Sequence, residues 1–524
     1  MNFSRREFLK AGLAGSLAVG AGGVLSACGT GNTIKPFTVS NVGKPQTGGQ
    51  LRAGLTGGST ADTLSPLNPI TNVDFSRINN LYEPLVGLTP EAQPVYVLAE
   101  ELTPNANATE WTVRIKQGIT FHNGKPLTAD DVIYTFRAIL NPKAPGSAAA
   151  GLASIDAKGL TKLDAYTVRI PCSTPFATLR EALAIPGYSD VVPVGFNPAA
   201  PNGIGTGPFK VKSFSPGTQS TFVRYDGYWQ TGRPLLDEIV ITDYADQTSQ
   251  VNALLAGQVD TVNLLSEDVI SEVQGESKNV LLSAGGGWNP FTIRVDTKPF
   301  NDVRVRQALR LVVDRQQMLD LVFGGFGTLG NDLFGIWAPE YDHSLPQRHQ
   351  DIDQAKSLLK AAGQEDLHVT LVTADIAQGT VLAAQVFAQQ ASAAGVSVSV
   401  DDVTVNEFYG TNYLKWPFAQ DYWFYNFYLP QVSLATLPKA PFNETHWDNA
   451  RYNSLYAQAI ATTDASLSTE LAHEMQQIEY NEGGYIIPFF PPVIDGFAAN
   501  VGGLVPSKIG LSLNAYDFKG VWLS

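Results

Sequence analysis

Apolar and polar residues alternate with a period of two along several stretches of the chain. This alternation over residues 48–55, 111–115 and 368–373 predicts β-strands, because successive side chains of a strand point to opposite faces. Further strands are predicted at residues 166–170, 209–214, 220–225, 238–242 and 396–400. Strands are therefore expected along most of the chain after the first fifty residues.

Helices are predicted where apolar residues recur every three or four positions and capping residues mark the ends. Thr128 and Asp131 have the spacing of a capping box, which starts a helix that runs through Arg137. The other helices are predicted at residues 75–85, 247–255, 303–323, 353–362 and 380–394, several of them ended by a glycine. From residue 353 to residue 400 helices and strands alternate, which favours an α/β lobe with parallel strands.

Composition and charge exclude several classes of protein. The chain has 524 residues, of which 44% are hydrophobic and 16% charged, as expected of a globular chain with more than one domain. It carries 35 Lys and Arg against 49 Asp and Glu, and this excess of acidic residues is unfavourable for binding nucleic acid. Only two cysteines occur, Cys28 and Cys172, so no cysteine-based zinc ribbon, iron–sulfur cluster or disulfide framework is expected.

The motifs that mark cofactor sites, metal sites and hydrolases are absent from the sequence or stand in the wrong context. Residues 325–330 match the letters of the dinucleotide fingerprint, but they follow a predicted helix where that motif needs a strand. The sequence has no P-loop and no H-E-x-x-H motif, and its six histidines lack the spacing of metal ligands. We therefore expect no cofactor, no metal site and no enzymatic activity.

The first 47 residues have the layout of an export signal and a tether. Ser4–Lys10 (SRREFLK) resembles the twin-arginine export signal, and the apolar run after it ends in Leu25–Cys28 (LSAC), which resembles a lipobox. We expect residues 1–27 to be removed, Cys28 to carry lipid and residues 28–47 to form a tether. No later stretch reaches eighteen apolar residues, so lipid is the expected membrane attachment. An ordinary buried helix over the apolar run is the alternative.

One segment, residues 416–428, has an unusual density of aromatic side chains. Eight of its thirteen residues are Phe, Trp or Tyr. The segment is either a strand that alternates between core and surface or the aromatic wall of a ligand pocket. In a strand one face would hold Tyr422, Phe424, Asn426 and Tyr428, and the other Asp421, Trp423, Tyr425 and Phe427. One face is then expected to be core and the other pocket.

Seven segments together resemble the extracytoplasmic solute-binding proteins of ABC importers, family 5, the dipeptide, oligopeptide and nickel type. They are Gly48–Arg52, Asn80–Val86, Ile119–Val132, Gly205–Phe209, Tyr225–Trp229, Leu254–Asp260 and Pro299–Leu309. They follow the family order, and the resemblance spans nearly the whole chain after the signal. The most specific is Ile119–Val132 (ITFHNGKPLTADDV).

The resemblance implies an α/β, two-lobed periplasmic-binding-protein-like fold with an extra subdomain in the N-terminal lobe. Lobe I would comprise residues 48–83, 206–288 and 488–524, with the subdomain at 84–205, and lobe II would comprise 289–487. The protein would be an exported monomer, anchored by lipid to the outer face of the cytoplasmic membrane. It would bind a small organic solute or peptide and deliver it to the permease and ATPase subunits of an importer.

The resemblance also bears on the ligand. Peptide-binding members place an aspartate near the position of Pro430, where it pairs with the peptide ammonium group, and this chain has no acidic residue between Tyr422 and Asn443. This favours an aromatic, sugar-like, opine-like or modified-peptide ligand. The candidate ligand-binding residues are Trp288, Asn289, Trp416, Asp421, Tyr422, Trp423, Tyr425, Asn426 and Tyr428. Two other functions stay open: an exported hydrolase or glycosidase, and a peptide-binding sensor without a transport role.

Overall fold

The computed structural model describes residues 43–187, 189–275 and 277–524. All of these residues belong to one compact unit. The predicted export signal, Cys28 and the tether up to residue 42 lie outside the described residues. Within the described ranges, no helix is long and apolar enough to cross a membrane.

Strands are distributed over the whole described chain. In chain order they are β1 (Gln50–Thr56), β2 (Val86–Leu88), β3 (Pro94–Tyr96), β4 (Ala99–Pro104), β5 (Glu110–Ile115), β6 (Thr161–Asp164), β7 (Thr167–Pro171), β8 (Phe209–Ser215), β9 (Gln219–Arg224), β10 (Glu238–Tyr244), β11 (Thr261–Val262), β12 (Lys278–Ser283), β13 (Phe291–Ile293), β14 (Thr328–Leu329), β15 (His368–Thr373), β16 (Ser397–Asp402), β17 (Phe418–Gln420), β18 (Tyr485–Ile486), β19 (Phe489–Phe490), β20 (Val493–Ala498), β21 (Val501–Gly502) and β22 (Trp522–Leu523). All the strands predicted from period-two alternation outside residues 416–428 are confirmed within two residues at their ends.

Helices lie between the strands and pack on the sheets. They are α1 (Asn72–Leu81), α2 (Ala129–Ile139), α3 (Leu179–Leu183), α4 (Gln247–Leu255), α5 (Ile270–Val273), α6 (Val303–Leu311), α7 (Arg315–Phe323), α8 (Ile352–Ala361), α9 (Thr380–Ser392), α10 (Val405–Phe408), α11 (Tyr428–Ala435), α12 (Ala450–Ala459), α13 (Ala465–Glu482) and α14 (Ser512–Ala515). Short 3-10 turns lie at Ser147–Ala149, Glu267–Val269 and Phe518–Gly520.

The largest sheet has seven strands in the order β12-β20-β11-β1-β10-β9-β8. Strand β1 pairs in parallel with both β10 and β11, so that Leu51 lies opposite Ile239. Strand β20, from near the end of the chain, pairs antiparallel with β11 and β12. Apolar residues of β1, β10 and α1 form one buried cluster, which explains why one face of this sheet is covered.

A second sheet has five strands in the order β16-β15-β17-β13-β18. Strands β15 and β16 are parallel and are connected through α9, which confirms the predicted parallel α/β arrangement over residues 353–400. Strand β13 pairs antiparallel with β17 and β18. A separate buried cluster, which includes Phe291, Phe387 and Phe418, fills the space between this sheet and its helices.

A third, antiparallel sheet has four strands in the order β4-β5-β7-β6 and lies within residues 84–205. Helix α2 begins at the predicted capping box: the carboxylate of Asp131 accepts hydrogen bonds from the backbone N–H and the hydroxyl of Thr128, both at 2.9 Å. These bonds satisfy groups that a helix start leaves unpaired, so the local sequence alone fixes the helix start.

Two helix predictions were wrong in their bounds. The first helix covers residues 72–81 where 75–85 was predicted; it begins at a capping box of Thr71 with Asp74 and stops before the extended residue Tyr82. The predicted helix 303–323 is two helices, because Asp314 is extended and its carboxylate caps the second helix by accepting from the N–H of Gln317 at 2.9 Å.

Candidate ligand-binding site

A cavity of about 350 Å³ lies between two sets of residues that are far apart in the sequence. One wall comes from the N-terminal half: Pro69, Ile70, Phe75, Ser147, Ala148, Ala150, Gly151, Leu152, Ala182 and Ile185. The other wall comes from the second half: Trp423, Phe424, Tyr425, Asn426, Pro430, Gln431, Leu434 and Phe442. None of these residues is charged. The volume is typical of sites for small organic ligands, which are mostly apolar with a few polar groups.

The aromatic segment does not form the predicted strand. Strand β17 ends at Gln420, and Trp423 makes only an isolated antiparallel bridge with Trp288, through N–H···O bonds of 2.9 and 3.0 Å. The side chains of Asp421 and Asn426 accept from the N–H of the residue that follows each, at 2.8 and 2.9 Å. These local bonds replace strand pairing, so the backbone takes an irregular path and the predicted alternation of faces is wrong.

Three of the candidate residues line the cavity: Trp423, Tyr425 and Asn426. They come from both predicted faces of the segment, which the irregular backbone allows. The side-chain amide oxygen Oδ1 of Asn426 accepts a hydrogen bond from the N–H of Phe427, which precedes helix α11. Phe424 also lines the cavity, and its ring contacts Phe75 of the opposite wall with centroids 6.1 Å apart. The two walls therefore meet at this ring contact.

Trp288 and Tyr428 lie behind the cavity wall in a column of stacked rings. The Trp288 ring stacks on Trp423 on one side, with centroids 5.7 Å apart, and on Phe334 on the other, at 5.2 Å. Phe334 in turn stacks on Tyr428 at 5.1 Å. Trp288 and Tyr428 are almost wholly buried and support the wall from the core.

Asp421 and Trp416 border a separate, much smaller space that Glu444 also lines. The Asp421 carboxylate accepts from the hydroxyl of Tyr409 at 2.9 Å, and Glu444 accepts from that of Tyr485 at 2.9 Å. Burial raises the pKa of both carboxyl groups, and their mutual contact raises that of Glu444 further.

The last two candidates lie at the edges of the site. Asn289 is buried, and its amide N–H₂ donates to the carbonyl of Gln378 at 3.3 Å. Tyr422 is 37% exposed, and its ring contacts Phe424 at 5.7 Å between centroids. Neither is among the residues that line the large cavity. Within the described ranges, no group of three or more His, Cys, Asp or Glu side chains could hold a metal ion.

The polar groups of the cavity wall that are buried without a hydrogen-bond partner include the hydroxyl of Tyr425 and the amide nitrogen of Gln431. An unpaired buried polar group costs free energy, so both are available to a bound molecule. The ring of Tyr425 is placed by Gly286, where a Cβ atom would lie 2.6 Å from its Cδ2. Only glycine at position 286 permits this close approach between the backbone and the ring of Tyr425 in the cavity wall.

The sequence did not reveal the wall formed by the N-terminal half. Its residues come from a loop before α1, from a 3-10 turn and from α3, which share no pattern along the chain. The one signal that could have found part of it is the apolar Pro69–Ile70 pair in a loop; Ile70 is 73% exposed. An apolar side chain exposed in a loop is a common mark of a binding surface when it has similar neighbours.

Comparison with a protein-family model and comparison with individual known proteins indicate the same class of protein. The family described as bacterial extracellular solute-binding proteins, family 5 (middle), matches residues 93–443. The glutathione-binding protein GsiB of Salmonella typhimurium is 24% identical over 506 residues, which cover 88% of this chain and 93% of that protein.

Solved structures share the fold. AgaA from A. tumefaciens R10, in complex with agropinic acid, superposes with a TM-score of 0.76 at 22% identity over 91% of this chain and 99% of AgaA. AppA from Bacillus subtilis, in complex with a nonapeptide, gives 0.73 at 21% identity over 92% of this chain and 100% of AppA. The family match covers more than half of the chain, and these structures have the two-lobed α/β fold predicted from the sequence. The chain therefore belongs to family 5 of the bacterial extracellular solute-binding proteins.

Proposed function

We propose that this protein captures a small organic or peptide-like solute between two lobes and delivers it to the permease of an ABC importer. The observation that carries the proposal is the cavity of about 350 Å³, whose two walls come from the N-terminal half and from residues 423–442. Lobe I with its subdomain (48–288 and 488–524) would supply the first wall, and lobe II (289–487) the second.

The solute is not an ordinary peptide held by its free amine at the position used by peptide-binding members of the family. Pro430, which occupies that position, lines the cavity and supplies no carboxylate. The aromatic rings and the unpartnered Tyr425 hydroxyl and Gln431 amide suit an aromatic, sugar-like, opine-like or modified-peptide solute.

Binding would work by closure of the two lobes. The rings of the wall residues Phe75 and Phe424 are in contact across the cavity, so the two walls already meet at this point. Closure is driven by the difference in affinity of the solute for the closed and the open arrangement. The permease and its ATPase would then recognise the closed form, and no covalent step is involved.

The proposal includes export and attachment by lipid at Cys28 to the outer face of the cytoplasmic membrane. Replacing Cys28 by Ala removes the acceptor of the lipid, so we expect the protein to leave the membrane fraction and be recovered in soluble form. Fractionation of cells expressing the two proteins measures this. Cys172→Ala is the matched control and should stay in the membrane fraction; membrane recovery of both variants would contradict the anchor.

The ligand is tested by native mass spectrometry of a soluble form that starts after Cys28, purified gently from its own host. One discrete adduct mass is expected for a dedicated small-molecule receptor and would identify the ligand. A ladder of masses that differ by amino-acid residues would show a general peptide receptor and overturn the proposed ligand class. Any turnover of the released solute by the purified protein would favour an exported hydrolase or glycosidase instead.

A further inference from the structure

Among the described residues of the cavity wall, the buried side-chain atoms that lack a hydrogen-bond partner all carry a hydrogen to donate. They are the indole nitrogen of Trp423, the hydroxyl of Tyr425 and the amide nitrogen of Gln431. Of these, the indole N–H of Trp423 faces the carboxyl group of Glu444, which lies outside the cavity. Tyr425 and Gln431 are 3% and 1% exposed, so bulk water does not satisfy their donors. Two buried donors therefore stand at the cavity without an acceptor.

A third donor on the same wall belongs to Asn426. Its Oδ1 accepts from the N–H of Phe427 at 2.9 Å, and this bond fixes which way the side-chain amide is turned. With the oxygen engaged, the N–H₂ of Asn426 is left as the group that a bound molecule can use. Asn426 lines the cavity together with Tyr425 and Gln431. This wall therefore presents several donors to one space.

The opposite wall offers little to a polar group. Among its described residues only Ser147 has a polar side chain, and the hydroxyl of Ser147 donates to Oδ1 of Asn68 at 3.4 Å. The others are apolar or glycine, and they include Leu152 and Ile185. A solute that fits both walls has hydrogen-bond acceptors along one side and apolar surface along the other.

Neither wall supplies a charge that would balance an ionised solute. Within the described chain, no Lys, Arg, His, Asp or Glu side chain lines the cavity. The N-terminus of α11, where a helix ordinarily attracts an anion, already holds the carboxylate of Glu340, which accepts from the N–H of Leu429 at 3.4 Å. Pro430, the third residue of that helix, has no N–H to offer. An ionised group enclosed here would be unpaired, which costs free energy.

We propose that the solute is an uncharged carbonyl compound whose carbonyl oxygens accept hydrogen bonds from Tyr425, Asn426 and Gln431. Carbonyl oxygens accept and bring no hydrogen of their own, so they match a set of donors better than hydroxyl groups do. This inference rests on the proposed function and deepens it, since it names the groups by which the solute is recognised. A cyclic peptide or a peptide blocked at both ends fits this description, whereas a solute that keeps an ionised amine or carboxylate does not.

The test uses two matched pairs of aromatic probes that differ in charge. N-acetyl-L-phenylalaninamide and N-acetyl-L-phenylalanine have nearly the same shape, but the second carries a carboxylate at pH 7.5. N-acetylphenethylamine and phenethylamine form the corresponding pair for an ammonium group. Binding to the full chain in detergent is measured by ligand-observed NMR and calorimetry, with detergent alone as the blank. We expect each neutral probe to bind about tenfold more tightly than its charged partner, or better.

Two substitutions test the donors themselves. Tyr425→Phe removes only a hydroxyl that has no partner in the free protein, so the melting temperature should stay the same or rise. Binding of N-acetyl-L-phenylalaninamide should become about three- to tenfold weaker. Gln431→Met keeps the length of the side chain, removes its donors and should weaken binding to a similar extent. In the matched control, Tyr225→Phe, the lost hydroxyl donates to the carbonyl of Phe121 at 2.9 Å outside the cavity, so stability should fall and affinity stay unchanged.

The outcomes separate this inference from the proposed function. Equal or tighter binding of either charged probe, or unchanged affinity in both Tyr425→Phe and Gln431→Met, overturns the carbonyl site and leaves the solute cavity standing. If no probe binds, the molecule released from the protein for mass spectrometry decides: an uncharged carbonyl compound supports the site, and an ionised solute overturns it. If no probe binds and no molecule co-purifies, the proposed function is overturned as well.

Discussion

Trp423 contributes both to the cavity wall and to the ring stack, and the two contributions can be measured separately. Its ring lines the cavity and stacks on Trp288. We expect Trp423→Ala to weaken binding of the co-purified solute by about 1–3 kcal/mol, since aromatic anchors dominate such sites, and also to lower stability because the stack is lost. Titration calorimetry and urea unfolding measure the two effects.

The matched control for this change is Trp111→Ala. Trp111 is buried in β5, in the four-stranded sheet, and its indole N–H donates to the carbonyl of Phe176 at 3.1 Å. Its loss should lower stability by about 3–5 kcal/mol and leave the affinity of the folded protein unchanged. If Trp423→Ala likewise changed stability alone, Trp423 would be a core residue and not part of the ligand site.

At this scale the sequence identified which residues are unusual but not where they lie. The aromatic density of residues 416–428 pointed to Trp423, Tyr425 and Asn426, which do line the cavity. The same pattern included Tyr428, which is buried in the ring column, because period-two alternation says nothing once the strand ends at Gln420.

Among the elements, the pair α6 and α7 shows how a tertiary contact interrupts a helical pattern. The apolar spacing continues through residues 312–314, yet the side chain of Gln390 bonds both the N–H and the carbonyl of Asp314, each at 3.1 Å. The carboxylate of Asp314 then caps α7. A residue 76 positions away thus fixes the break, which no local pattern could predict.

The cap contributes measurable stability. Asp314→Ala removes the acceptor for the first turn of α7, so we expect the free energy of unfolding to fall by about 1 kcal/mol, with a range of about 0.5–2. Urea unfolding followed by circular dichroism measures the change. Asp320→Ala, an exposed change within the same helix, should alter stability by less than about 0.5 kcal/mol. Equal effects of the two substitutions would contradict a capping role.

For the whole molecule, buried carboxyl groups determine how stability depends on pH. Burial is the main cause that raises the pKa of Asp190 to about 7, Glu479 to about 8 and Asp495 to about 6. A carboxyl group whose pKa is higher in the folded than in the unfolded chain stabilises the fold below its unfolded value near 4. That contribution is lost progressively as the pH rises from about 4 through the folded pKa, and the loss is complete only above about pH 6 to pH 8.

One buried aspartate, Asp332, has the opposite effect on how stability depends on pH. Despite its burial, the pKa of Asp332 is held below its usual value by Arg315 and Arg348, whose nitrogens lie 2.7 and 2.8 Å from the carboxylate. Its stabilising contribution is present above the unfolded pKa and is lost as the pH falls below about 4. The two effects together place the stability maximum near pH 4.

We therefore expect the free energy of unfolding to be higher at pH 5 than at pH 8 by more than about 1.4 kcal/mol, the equivalent of one pKa unit. Urea unfolding at the two pH values measures the difference. Glu479→Gln keeps a hydrogen-bond acceptor for Tyr428, which lies 3.0 Å away, and removes the titration. This variant should lose less stability between pH 6 and pH 8, and a wild-type protein more stable at pH 8 would contradict the prediction.

The fold of the whole molecule was more predictable than its site. Seven short segments spread from Gly48 to Leu309 resemble a known family, and this resemblance implied the two-lobed α/β fold. The cavity could not be predicted from the sequence, since its walls combine loops with residues of α1, α3 and α11 that are far apart in the chain. The family resemblance predicted the fold, but it could not predict which side chains of this chain line the cavity.

The position of β20 in the seven-stranded sheet has a consequence for biosynthesis. Residues 493–498 lie between β11 and β12, so two strands made much earlier on the ribosome cannot pair fully until almost the last residue has been added. Such long-range pairing is slow, because the intervening chain must first be ordered. The nascent protein thus carries open sheet edges from the synthesis of β12, which ends at residue 283, until residue 493, a state that is prone to aggregation. A chain truncated before residue 493 should therefore aggregate however long it is given to fold.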